Sequence, residues 1–202
     1  MKLKSVFSIL KAAKTVFVYN TSACQWLSDG AAIYPIYDLP QLEPEHVLEM
    51  CDVPEDKRDA YRCEAFGEVP YINLDDYDKT EKPLERCSLA IVSRGCELEP
   101  LLSSRGAIFF DRSYLRPFSD QDSYDLYERI AEDGRPYIAV KRGVALLGII
   151  MPVDIADNRF VDKIGDILDA ARSAMEYRKR WGDYGESYGQ IGIERGEGED
   201  TT

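Results

Sequence analysis

Leu3, Val6, Phe7, Leu10 and Ala13 recur at the three- and four-residue spacing of one helical face, so the chain opens on an amphipathic helix. At Thr15 the period changes. Residues 15–21 are β-branched and aromatic, as in a half-buried strand. Segments 24–27 and 31–36 flank Ser28-Asp29-Gly30, and Asp-Gly accepts positive φ at little cost, which predicts a hairpin. Pro44 suits the first turn of a helix, and 45–51 and 55–66 predict two short helices with acidic first turns. The most polar stretch follows at 68–86, holding Asp75, Asp76 and Asp78 between Pro70 and Pro83. It predicts a linker.

Three short strands are expected at 87–93, 98–102 and 107–110, separated by Arg94-Gly95 and Arg105-Gly106 turns. A helical turn at 113–118 and a helix at 122–132 come next. Segments 137–140 and 144–153 then flank Lys141-Arg142-Gly143 as a second hairpin. Phe160, Ile164, Ile167, Leu168, Ala171 and Met175 mark one face of a helix over 157–181, expected to dock by that face. It ends in Arg178, Lys179 and Arg180, where cations suit the carboxyl end. Beyond Trp181, six glycines and six acidic residues against one arginine predict a disordered acidic tail, 182–202.

The fold class read from these elements is α+β, antiparallel hairpins packed with a few helices. Its organisation is a helix–hairpin–helices half at 1–67, the linker 68–86, a sheet–helix–hairpin–helix half at 87–181, and the tail. Helix, strand, glycine turn and strand occur over 3–36 and again over 122–153, so two similar halves are expected.

Charge narrows the function. The chain of 202 residues has 25 Lys plus Arg against 37 Asp plus Glu, a net charge of −12. Such a surface does not coat nucleic acid or anionic membrane as a whole, although a local basic face can. Lys4, Lys11 and Lys14 fall within about 80° of one another around the first helix, and such a stripe can follow a phosphate backbone. They are the candidate DNA-binding residues. The same lysines, laid along the apolar face by their stems, would be the plainer reading. Tyr34, Tyr37, Tyr71 and Tyr77 flank proline- or aspartate-rich turns and are candidates for a recognition surface.

Catalytic chemistry finds few footholds. His46, the single histidine, sits in a first helical turn with no H-E-x-x-H, so no histidine metal site is expected. Five cysteines at irregular spacing contain no C-x-x-C, which points to reduced thiols in a cytoplasm rather than disulfides or zinc. Read as a calcium loop from Asp76, the glycine position holds Glu81 and the final glutamate position Cys87, so the 75–78 carboxylates read as solvated. The strand Ala139-Val140-Lys141 has alanine where a restriction-type nuclease needs an acid. Phosphate-cradling glycine loops and the nucleophile elbow are absent. No catalytic residue, metal or cofactor is therefore expected. The N-terminal apolar run is too short for a secretory signal, and 144–153 is too short to span a bilayer.

Three segments together resemble domains of the bacterial sliding clamp, the processivity ring of DNA polymerase. Trp26-Leu27-Ser28-Asp29-Gly30-Ala31-Ala32 is similar to the clamp's strand–Asp-Gly–strand hairpin. Phe110-Asp111-Arg112-Ser113-Tyr114-Leu115 resembles its phenylalanine-to-Tyr-Leu helix entry, and Ile149-Ile150-Met151-Pro152-Val153 its closing Met-Pro strand. The resemblance implies clamp-like halves, a homo-oligomer, and a lysine-bearing helical face toward DNA. Clamp chains run longer, and a long helix after the Met-Pro strand departs from their pattern. The chain is also similar in character to short phage and prophage proteins. The leading expectation is a non-enzymatic cytoplasmic binding protein with a protein partner, clamp-like and associated with DNA replication. Two alternatives stand beside it: an acidic mimic of DNA that occupies a basic nucleic-acid-binding protein, and an enzyme working through carboxylates alone.

Overall fold

The computed structural model describes residues 1–185 apart from 94, 121, 122 and 156, with the side chains of 158 and 180–185 also left aside. The expected tail beyond Gly185 lies outside the described residues. The chain divides into two units, Met1–Asp154 and Ile155–Thr202.

In the first unit, α1 (Leu3–Ala13) buries Val6, Ile9 and Leu10 and closes on Lys14, whose φ of 52° turns the chain sharply. Strands β1 (Thr15–Asn20), β2 (Gln25–Ser28) and β3 (Ala32–Ile36) form a meander. Its second turn rests on Gly30, at a φ of 93°. Helix α2 (Pro44–Met50) starts at the expected proline, with Glu43 and His46 forming a reciprocal cap. The expected helix at 55–66 is only a 3-10 turn, η1 (Glu55–Ala60), followed by strand β4 (Arg62–Phe66). β4 pairs in parallel with β1, the kind of partnership no local pattern announces.

Strands β5 (Lys82–Pro83) and β6 (Glu85–Arg86) come next, then β7 (Ile91–Ser93), β8 (Cys96–Ser103) and β9 (Gly106–Asp111). A second 3-10 helix, η2 (Arg112–Phe118), is capped by Asp111, whose carboxylate accepts the Ser113 N–H. The expected helix at 122–132 is strand β10 (Asp125–Ile130). Leu126 and Glu128 point to one face and Tyr127 and Arg129 to the other, a period of two. With β11 (Pro136–Arg142) and β12 (Ala145–Ile150) it builds a second meander.

The two meanders share one eight-stranded sheet, ordered β4-β1-β2-β3-β12-β11-β10-β5. At its centre β3 and β12 pair antiparallel, Ile33 opposite Ile149 and Ala32 opposite Ile150. Beside it, β6, β7 and β9 all pair with β8 in a smaller sheet. The expected second copy over 122–153 does not open on a helix, since 125–130 is a strand, and a different correspondence takes its place. Each copy is a helix followed by three strands, α1–β1–β2–β3 and η2–β10–β11–β12, and the copies join across β3 and β12. The expected 1–67 and 87–181 halves are not separate bodies, because strands from both make one sheet.

Two cores sandwich that sheet. One packs Val6 and Leu10 of α1, Val47 and Leu48 of α2, and Phe118 of η2 against Val16, Val18, Leu27 and Val140. The other packs Tyr19, Trp26, Ile33, Tyr137, Ala139 and Ile149 under Val69, Ile72 and Leu74. The stretch 68–86, expected as a linker, is thus a strap across the sheet. Gly148 lets β12 pass this crowded centre, since a Cβ there would lie 2.8 Å from the Phe118 ring and 2.9 Å from the Ile33 carbonyl.

The second unit contains α3 (Asn158–Gly185), which runs past the basic trio expected to end it. On its apolar face Ile167, Leu168 and Met175 are 62%, 52% and 59% exposed. Among the described residues, no helix is long and apolar enough to cross a membrane.

Candidate functional site on the helical face

The helices of the two repeat copies lie together on one face of the sheet. The Lys2 N–H donates to the Pro117 carbonyl at 2.7 Å, and the N-terminal amine of Met1 meets Asp120 at 3.2 Å. Polar and small residues, Ser5, Ser8, Ala12 and Ala13 from α1 with Ser113 and Arg116 from η2, line a shallow cleft of about 340 Å³ between them.

The three candidate lysines do not act alike. Lys11 is engaged: its Nζ donates to the carbonyls of Cys51 at 2.7 Å and Asp52 at 3.1 Å, where α2 ends. A cation on those unsatisfied carbonyls is a structural clasp. Lys4 and Lys14 are exposed, as are Lys2 at the start of α1 and Arg116 on η2, and none of the four forms an ion pair among the described residues. Four such cations stand on or beside the two helices of an acidic protein. Sequence reading missed Arg116, because its place beside α1 depends on how the repeat copies join.

Segments 26–32, 110–115 and 149–153 converge here. The Asp29 carboxylate accepts the Ala31 and Ala32 N–H groups, at 2.9 and 2.8 Å, and the Tyr114 hydroxyl at 2.8 Å. The Tyr34 hydroxyl donates to the Tyr114 carbonyl at 3.0 Å. Burial and the nearby Asp29 charge push the Tyr114 phenol up, so it remains a donor. Met151 N–H donates to Ala31 and Val153 N–H to Phe109, both at 2.7 Å. The Asp-Gly turn, the entry to η2 and the Met-Pro strand are thus tied together at the junction of the two copies.

Behind η2 lies a cleft of about 680 Å³ edged by Arg86, Arg112, Arg116, Glu97 and Asp111. Its carboxylates are already occupied. Glu97 pairs with Arg112 at 3.0 Å, Asp111 caps η2, and the buried Glu99 beneath holds Arg86 through two bonds of 2.6 and 2.8 Å. Four thiols are held toward their protonated form: burial pushes Cys51 up to about 11 and raises Cys24 and Cys63, while the hydrogen bond with Asp111 raises Cys96. His46 serves as a cap, its Nδ1 accepting the Glu43 N–H at 3.1 Å.

Among the described residues no group of three His, Cys, Asp or Glu is placed to hold a metal ion. The 75–78 carboxylates are only partly solvated. Asp78 is 8% exposed and accepts from Asn73 and Thr80, and Asp76 accepts the Leu146 N–H at 2.7 Å. Of the four candidate tyrosines, Tyr34 is in the core, whereas Tyr37, Tyr71 and Tyr77 are exposed. No protein-family model, no curated protein and no solved structure matches this chain.

Proposed function

We propose that the protein is a non-enzymatic, cytoplasmic binding protein of clamp-like build, which lays its helical face along a nucleic-acid backbone as an oligomer. It would act with a protein partner in DNA replication, as a phage-type clamp does. The observation that carries this reading is the pair of joined helix-plus-three-strand copies, whose helices lie side by side with the exposed cations Lys2, Lys4, Lys14 and Arg116 on or beside them, none in an ion pair among the described residues. Phosphate contacts need position and charge rather than base-reading geometry, and exposed Lys and Arg on adjoining helices provide both. Lys2 and Lys4 also crowd the positive end of α1, where cations cost stability and a phosphate would relieve the repulsion.

The deciding experiment is the mass in solution, by light scattering on a size-exclusion column, with and without duplex DNA. A closed assembly of three 23.0 kDa chains that retains DNA supports the reading. A single chain that ignores DNA overturns it. The acidic-mimic alternative draws on the exposed Asp75 and Asp76 of the strap and predicts strongly salt-sensitive capture of a basic protein.

A further inference from the structure

The sheet face away from α1 and η2 carries a groove of about 900 Å³, bordered by the strap, the β1–β2 turn at 21–23 and the end of β10. Trp26, only 3% exposed, lines it, and its indole N–H has no acceptor. A donor shut away from water without a partner is costly and rare in a finished structure. Two tyrosines of the groove stay open to solvent, Tyr71 at 55% and Tyr77 at 77%. Glu68, Asp75 and Glu132, also lining it, are exposed and form no ion pair among the described residues, and they outnumber the exposed Lys79 of the same lining.

These features describe one kind of ligand. Free carboxylates accept guanidinium groups through paired, charge-assisted bonds. Exposed tyrosine rings attract cations over their faces and are favoured at interfaces. The apolar flank made by Ile72 and Leu74 suits the methylene stems of long basic side chains. Phosphate is repelled by the same carboxylates. We propose that this groove binds an extended segment of a partner protein bearing several arginines and lysines. The surface is separate from the helical face, and its occupant has the opposite charge to nucleic acid.

The test uses the full chain carrying Trp181→Phe, which leaves Trp26 as the one indole. It is titrated with an arginine homopeptide while Trp26 emission is followed. The expected result is a saturable change in Trp26 emission. Glu68→Gln, Asp75→Asn and Glu132→Gln together should weaken binding about tenfold, the sum of three modest exposed pairs. Tyr71→Ala with Tyr77→Ala should weaken it as well. Glu55→Gln, Asp56→Asn and Asp59→Asn remove the same charge from η1 and should leave binding unchanged. Equal weakening by both triple variants, an unresponsive Trp26, or equally tight binding of spermine would each overturn the proposal. Lys4→Glu with Arg116→Glu should not weaken the peptide, so failure here is distinguishable from failure of the nucleic-acid reading.

Discussion

Arg129 has no surface exposed, yet its guanidinium is fully used. It meets the Glu81 carboxylate at 2.7 Å and donates to the carbonyls of Asn73, Asp75 and Asp76. Glu81 also holds the buried Lys141 at 2.7 Å, so one carboxylate balances two cations and pins the strap to β10 and β11. Removing it leaves the buried Lys141 without its ion-pair carboxylate and Arg129 with only the neighbouring Asp78 charge. Glu81→Gln should therefore lower unfolding free energy by about 3 kcal/mol, measured by urea denaturation. A loss too small to resolve would show that water replaces Glu81. Asp78 adds a pH dependence. Burial alone would raise its carboxyl, but the Thr80 hydroxyl and N–H, the Asn73 amide and the Arg129 charge outweigh this and hold it below the usual 3.8. A depressed carboxyl stabilises the fold above its ordinary value, and that contribution disappears as pH falls through the lowered one. Urea midpoints of the parent and Asp78→Asn should converge as pH drops below the usual carboxylate value. A constant gap would remove Asp78 from the acid response.

Elements with a strong local period were legible in the chain. The apolar spacing of α1, the Asp-Gly turn of the first hairpin and Pro44 at the start of α2 all lie where the pattern put them. Strands β4 and β10 were read as helix, for a physical reason. Arg62-Cys63-Glu64-Ala65-Phe66 and Asp125–Ile130 mix charged and apolar residues in runs too short to separate the two periods. The strand character of β4 comes from β1, a partner distant in sequence, and that of β10 from its pairing on both edges, with its hairpin neighbour β11 and with β5 of the strap. Helix α3 repeats Val161, Ile164, Leu168, Ala171 and Met175 at alternating spacings of three and four, the seam of paired helices. Val161, Leu168 and Met175 on that seam are more than half exposed. If the copies associate through this seam, Leu168→Glu should reduce the solution mass to one 23.0 kDa chain. An unchanged assembly would place the contact elsewhere.

At the scale of the whole molecule, charge is partitioned. A net charge of −12 coexists with a helical face where Lys2, Lys4, Lys14 and Arg116 are exposed, and with a carboxylate-edged groove on the other side of the sheet. Phosphate neutralisation releases counter-ions, so each contact adds to the salt dependence of affinity. Lys4→Glu, Lys14→Glu and Arg116→Glu together should flatten the slope of log affinity against log salt by about 3 on duplex DNA. A slope like the parent's would exclude this face as the contact.

The sequence alone determined the α+β class, the long last helix and the Asp-Gly hairpin, because helical period and turn chemistry act between near neighbours. The tertiary structure decided everything that depends on distant partners. It joined the two helix-plus-strand copies across β3 and β12, and it turned the 68–86 stretch from linker into strap. It also assigned Lys11 to the end of α2, leaving Lys4 and Lys14 exposed. A side chain's charge is written in the sequence; whether that charge is spent within the fold or left for a partner is set by the contacts folding brings.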